Sequence, residues 1–200
     1  MAGAVLLAAA IGVAVWFFLL RGGGGFLGGG DETPTFRFDL RKVSSVALDG
    51  KATKPALKRA ALDLQTTLDA MYSAGFVDPA QWEDGEFPAV LEAFSAQASD
   101  GARKDLPDLT LGPAALELDS VEPGRSRLDV RFLLTPNRQP FAAVATTTFH
   151  AEGALEGGGR LSVVHRGRFL MQRIDGEWLI VSYNVDGKLR PAAATPGGSP

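Results

Sequence analysis

RLSVVHRGRFLMQRIDGEWLIVSYNV, residues 160–185, consists of two apolar runs joined by Asp175-Gly176, and its reading decides the fold class. Alternating, β-branched and aromatic residues on both sides of Asp-Gly predict a β-hairpin, because both central residues of a type I′ turn need positive φ. A two-residue loop also sets the register, with Ile174 opposite Glu177, Phe169 opposite Ser182 and Gly167 opposite Asn184. Directly opposed residues share a face. One face is therefore expected to carry His165, Phe169, Met171, Trp178, Ser182 and Asn184, and reads as the wall of a core or pocket with a polar end. The other carries Arg166, Arg168, Leu170, Leu179, Val181 and Tyr183, and reads as half covered.

Strand character continues upstream. Over 141–153, Phe141, Ala143, Ala145, Thr147 and Phe149 alternate with Val144, Thr146, Thr148 and His150. Over 125–135, Leu128, Val130, Phe132 and Leu134 alternate with Arg127, Asp129 and Arg131, the pattern of a strand with one buried and one wet face. Glu122-Pro123-Gly124 is a turn sequence that separates this strand from another expected over 114–121. Before these strands the apolar period becomes helical. Leu57, Ala60, Ala61, Leu64, Leu68 and Met71 form one stripe, with Thr53 and Pro55 as start signals and Gly75 as a stop. Met71 and Tyr72 read as core. A second helix is expected over 87–99. Glu83, Asp84 and Glu86 before it read as a solvated cap favoured by the helix dipole rather than as a metal site. Phe36-Arg37-Phe38-Asp39-Leu40 alternates like a short strand or an extended arm.

Residues 2–20 are nineteen positions without a charge. A helix of that length spans about 28 Å, close to the hydrocarbon thickness of a bilayer. Trp16, Phe17 and Phe18 gather near one end, and Arg21 follows, as where a span meets headgroups. An n-region without Lys or Arg and the lack of an A-x-A site favour an uncleaved anchor over a signal peptide. GGGGFLGGG, residues 22–30, has the composition of a flexible tether. The expected organisation is thus an anchor over 1–21, a tether and arm over 22–50, a folded domain over 51–187 and a disordered tail over 188–200. A net charge of -3 and a pI near 5.4 give no basis for a nucleic-acid partner. The chain has no Cys and only two His, which excludes thiolate chemistry and argues against a structural zinc site.

These elements define an α+β fold in which N-terminal helices pack on a curved, cone-like antiparallel sheet, preceded by a single transmembrane helix. The order of helices followed by strands, with the closing GRFLMQRIDGEWLIVSYNV of residues 167–185, resembles the nuclear transport factor two-like superfamily, in its membrane-anchored bacterial form. That superfamily also includes ketosteroid isomerases and polyketide cyclases. Strand, Asp-Gly turn and Trp-containing return, as in Ile174-Asp175-Gly176-Glu177-Trp178, is a common ending of such domains. The resemblance covers about residues 50–187 and implies a fold rather than a function. It further implies a domain held outside the cytoplasm, although Arg21, Arg37, Arg41 and Lys42 all follow the span, which by the positive-inside rule implies the opposite.

Function is less determined. An isomerase-like site sets a carboxylate base against Tyr and a protonated Asp, and no motif here matches those positions. No catalytic residue, metal or cofactor is assigned. His165, Ser182, Asn184, Phe169, Met171 and Trp178 are the candidate ligand-pocket residues. His165 is able to exchange a proton near neutral pH, and a core His bonded to Asn184 or to backbone is the simpler reading. Leu170, Leu179, Val181 and Tyr183 are the candidate face for a protein partner or homodimer. The primary reading is a membrane-tethered, non-enzymatic accessory or interaction domain. The alternatives are a small-molecule or lipid-binding module with a conical pocket, and an isomerase or cyclase using His165.

Overall fold

A computed structural model describes residues 36–46, 52–82 and 87–191. The expected anchor, the glycine-rich tether and the Glu83-Asp84-Glu86 cluster lie outside the described residues. No helix among the described residues is long and apolar enough to cross a membrane.

The chain opens with strand β1 (Asp39–Val46), followed by helix α1 (Lys54–Tyr72) and three short helices, α2 (Pro88–Leu91), α3 (Ala96–Lys104) and α4 (Leu106–Leu109). Five strands complete it: β2 (Leu118–Pro123), β3 (Arg127–Leu134), β4 (Pro140–Leu155), β5 (Arg160–Ile174) and β6 (Glu177–Pro191). They form one sheet in the order β1-β3-β4-β5-β6, and β2 pairs with the far half of β4, beyond the part that β3 uses. The α+β class and the order of helices before the strand meander follow the resemblance. The sheet itself is mixed rather than antiparallel, because the arm at Phe36–Leu40 continues into β1, which runs parallel to β3. Hydropathy alternation shows that a strand exists but carries no information on its direction.

α1 begins as its residues dictate. Thr53 has extended backbone and accepts a hydrogen bond from the Ala56 N–H, and Pro55 sits in the first turn, where its missing donor costs nothing. The helix buries Ala60, Ala61, Leu64, Gln65, Leu68, Met71 and Tyr72. Two polar residues on this side have a structural task. The Gln65 Nε2 donates to the Phe38 carbonyl at 2.8 Å, and the Phe38 N–H donates to Asp69 Oδ1 at 2.9 Å. Both backbone groups of Phe38 are thereby fixed to α1, and Phe36 and Phe38 are buried in the core. Past Tyr72 the helix widens instead of stopping at Gly75, with the Asp78 N–H bonding the Ser73 carbonyl at 2.8 Å.

The helix expected over 87–99 is divided into α2 and α3, because the intervening stretch pairs with the sheet. The Ile180 N–H bonds the Ala93 carbonyl at 2.8 Å and the Ser95 N–H bonds the Ile180 carbonyl at 2.9 Å, covering the open edge of β6. The strand expected over 114–121 starts later: residues Gly112–Glu117 form a 3-10 turn and β2 begins at Leu118. β6 continues past Gly187 to Pro191, beyond the expected domain end, since it pairs with β5 as far as Leu161.

The Asp175-Gly176 turn has φ of 52° and 95° at its two residues, and Ile174 pairs with Glu177. Farther along, the expected register fails. Met171 pairs with Ile180 but Leu170 pairs with Ser182, so Val181 is an extra residue, a β-bulge. Beyond it, Phe169 opposes Tyr183, Gly167 opposes Val185 and His165 opposes Gly187.

Gly167 is required by packing. A Cβ there would lie 2.3 Å from Phe169 Cε2 and 2.8 Å from Thr147 Oγ1, so the Phe169 ring occupies the space above it. Gly167→Ala is expected to destabilise the fold by about 1–3 kcal/mol through overpacking. Gly157→Ala, where a Cβ would meet nothing within 4 Å, is expected to leave the denaturation midpoint unchanged. Urea unfolding of the two variants checks this.

Candidate functional site

The bulge rearranges the predicted site. On β5, Val163, His165, Gly167, Phe169 and Met171 face inward and are buried, and Trp178 and Ile180 join them from β6. Ser182 and Asn184 do not. They pair with Leu170 and Arg168 on the opposite face and are exposed. A single extra residue reverses every subsequent side chain of a strand. Tyr183 moves the other way, out of the candidate partner face. Its ring packs edge-on against Phe94 at 5.4 Å and its hydroxyl donates to Asp105 Oδ2 at 2.7 Å. Burial first, and then the Asp105 bond and charge, raise its pKa to about 12. Leu170, Leu179 and Val181 remain half-buried.

The partners that His165 does have come from α1 and α4, and β4 extends the line through Tyr72. Its Nδ1 is 2.8 Å from the Tyr72 hydroxyl, which is 2.7 Å from Thr147 Oγ1, and its Nε2 is 3.0 Å from the Asp108 carbonyl. The carbonyl only accepts, so Nε2 carries a proton. In the neutral imidazole Nδ1 is then an acceptor, Tyr72 donates to it, and Thr147 donates to Tyr72. Thr147 Oγ1 also lies 3.4 Å from the Gly167 carbonyl. A protonated His165 would reverse the line, with Nδ1 donating to Tyr72, Tyr72 to Thr147, and Thr147 to that carbonyl.

Electrostatics hold the neutral arrangement. Burial, only partly offset by the Asp108 carbonyl and by the charges of Asp186 and Asp108, lowers the His165 pKa to about 4. Burial likewise raises the Tyr72 pKa, against the lowering effect of the Thr147 bond. Around these polar atoms the interior is aromatic. Tyr72 stacks on Phe76 at 5.3 Å, and Phe149, Phe169, Phe38 and Phe36 stand within 4.8–6.4 Å of its ring. Phe132 and Trp178 fill the turn-proximal end, 5.6 Å apart. The cavity bordering His165, against Asp108, Thr110 and Gly187, measures about 100 Å³. Larger hollows are partly open to solvent, one of them of about 450 Å³ between Trp82, Phe87, Leu106 and Leu116. Two of them lie on the outer sheet face and are lined by Arg131 and Arg168 and by Arg166 and Arg190.

Sequence reasoning isolated His165 but missed the two side chains that continue its hydrogen-bonded line. Tyr72 lay on the buried stripe of α1 and Thr147 on the inward side of β4. The usable signal was that buried polar groups are hydrogen-bonded, which makes a lone inward polar residue on each of three elements a candidate set.

No protein-family model and no curated protein sequence matches the chain. Two solved structures are similar to it. One is a candidate aromatic ring hydroxylase from Novosphingobium aromaticivorans, with 14% identity over 68% of this chain and 94% of that one and a TM-score of 0.44. The other is a type 2 hexachlorocyclohexane dehydrochlorinase, with 12% identity over 74% of this chain and 96% of that one and a TM-score of 0.43. The roles of His165, Tyr72 and Thr147 rest on their own geometry.

Two predictions concern this site. Tyr72→Phe strands the His165 Nδ1 inside the core and leaves Thr147 Oγ1 only the Gly167 carbonyl, and it is expected to cost about 1–3 kcal/mol, measured by denaturant unfolding. The second concerns pH. Well above pH 6.5 His165 is neutral in both states. Between pH 6.5 and about 4 the unfolded chain takes up a proton that the native state refuses, so stability falls with pH by about 3 kcal/mol. Asp69 acts in the opposite sense, because desolvation, the largest influence on it, raises its pKa to about 6 and the native state binds its proton first. With Asp69→Asn as background, a fall between pH 6.5 and 4 is therefore expected that disappears on adding His165→Gln.

Proposed function

We propose that the chain is a non-enzymatic accessory or interaction domain, tethered to a membrane by residues 2–20, which works through its outer surface. The observation that carries this reading is the filled interior. Tyr72, Phe76, Phe149 and Phe169 occupy the space that a conical ligand pocket would need. The cavity beside His165, about 100 Å³, is smaller than the roughly 150 Å³ that accommodates a benzene ring. Both nitrogens of His165 are engaged with protein atoms, which supports a structural role for it over general acid–base work. The nuclear transport factor two-like resemblance is compatible with this, since the fold hosts binding modules as well as enzymes.

The arrangement makes a homodimer through Leu170, Leu179 and Val181 a weaker proposal than a heterologous partner. These side chains are half-buried and flanked by Arg166 and Arg168, so two copies meeting there would oppose like charges.

Two experiments test the reading. Titration of the full chain with a neutral bicyclic probe such as naphthalene, followed by calorimetry, is expected to give no saturable heat. One-to-one binding abolished by Phe169→Trp would establish an interior pocket and overturn it. Fusing a reporter that works only outside the cytoplasm after Pro200, clear of the β6 pairing, is expected to give activity in the membrane fraction. Activity in the soluble fraction would remove the tether.

A further inference from the structure

The outer face of the sheet has a charge opposite to that of the whole protein. Two adjoining shallow grooves, about 410 and 340 Å³, run across it. Lys42, Arg131 and Arg168 line the first, and Arg166, Lys188 and Arg190 line the second. Against these six cations the grooves contain two carboxylates, Asp129 and Asp186, an excess of four positive charges on a chain whose net charge is -3. Among the described residues only Lys188 of the six has an ion-pair partner, Asp186 at 3.7 Å.

The pairing explains why the grooves adjoin. Arg166 and Arg168 lie on the same side of β5, about 7 Å apart, and pair with Thr148 and Thr146 of β4. Like charges this close repel, and the folded sheet holds them together with hydroxyls interleaved. That is an arrangement for an array of phosphates. At one end of the same face Val46 and Leu133 pair across β1 and β3 and are 57% and 38% exposed, so an aliphatic pair adjoins the cations.

We propose that this face docks onto an anionic bilayer, with the six cations on lipid phosphates and Val46 and Leu133 against the headgroup–acyl boundary. The occupant is argued from reach. Fourteen residues, 22–35, separate Arg21 from Phe36, at most about 50 Å when extended and about 20 Å as a glycine-rich coil. The chain then enters the domain through β1, the strand that contributes Lys42 to the face. The inference thus rests on the membrane attachment proposed above. A nucleic acid fits less well, because no Phe, Tyr or Trp lines either groove to stack on bases.

The chain contains no cysteine, so a single dye can be attached to the full protein at Thr148→Cys on the face or at Leu62→Cys on α1. Each is reconstituted into phosphatidylcholine vesicles with or without phosphatidylserine, with an acceptor on a headgroup. Retention through a high-salt wash is expected in both lipids. Energy transfer from the Thr148 position is expected to rise only with phosphatidylserine and to collapse in high salt, while transfer from the Leu62 position does not rise. Each surface arginine contributes a factor of about five, so Arg166→Ala/Arg168→Ala should lower the docked fraction relative to undocked about 30-fold, and Arg166→Lys/Arg168→Lys should retain it. Retention with transfer indifferent to phosphatidylserine overturns docking and leaves attachment standing. Loss of the chain from phosphatidylcholine, with capture by phosphatidylserine at low salt through these arginines, overturns attachment and supports docking. Binding of polyglutamate at this face without any response to phosphatidylserine makes the occupant an acidic polypeptide and overturns the lipid assignment.

Discussion

The Tyr72 hydroxyl is the constraint around which the interior is arranged. It sits at the end of α1, fully buried, and links that helix to β4 through Thr147 and to β5 through His165. A buried hydroxyl or imidazole left without a partner costs more than its bond contributes, so the three side chains are tolerable only together. Their mutual satisfaction sets the position of α1 against the sheet. The aromatic rings then close around the polar line, and Gly167 is needed because Phe169 must pass directly over it.

This use of the interior bears on function. A cone lined with ionisable groups is a reaction vessel only when some of its donors and acceptors are left for a ligand. Here the His165 ring is committed at both nitrogens, its proton affinity is lowered by burial, and the surrounding volume is aromatic. The polar chemistry inside holds the fold together. The far side of the same strands has a different character, because alternation puts Arg131, Arg166 and Arg168 outward for each inward Val130, His165 and Phe169.

How far the site was legible in the sequence depended on locality. The hairpin turn was readable because Asp175-Gly176 encodes its own backbone geometry. The pairing beside the turn followed from it, but not the pairing five residues on. The bulge at Val181 falls immediately after Ile180, whose N–H and carbonyl are taken by Ala93 and Ser95 from a segment far away in the chain. Apolar residues at 179, 180, 181, 183 and 185 suit either register, so nothing in the hairpin favours one. Ser182 and Asn184 were therefore assigned to the interior and Tyr183 to the exterior, each on the wrong side of one inserted residue. The parallel direction of β1 was unreadable for a similar reason. A strand's neighbours are chosen by the clamp that Gln65 and Asp69 place on Phe38, and not by the strand's own alternation.

By itself the sequence determined what depends on neighbours within a few residues. That includes the amphipathic stripe of α1 and its Thr53 cap, the strands of the meander, the tight turn, and the absence of cysteine chemistry. It also determined which strand residues share a side wherever pairing is regular. Tertiary structure alone decided which polar residues meet, that the interior is filled, and that the cations of three strands and an edge strand form one surface. Those outcomes depend on register and on contacts between distant segments, and a one-residue bulge, invisible to local periodicity, is enough to exchange inside for outside.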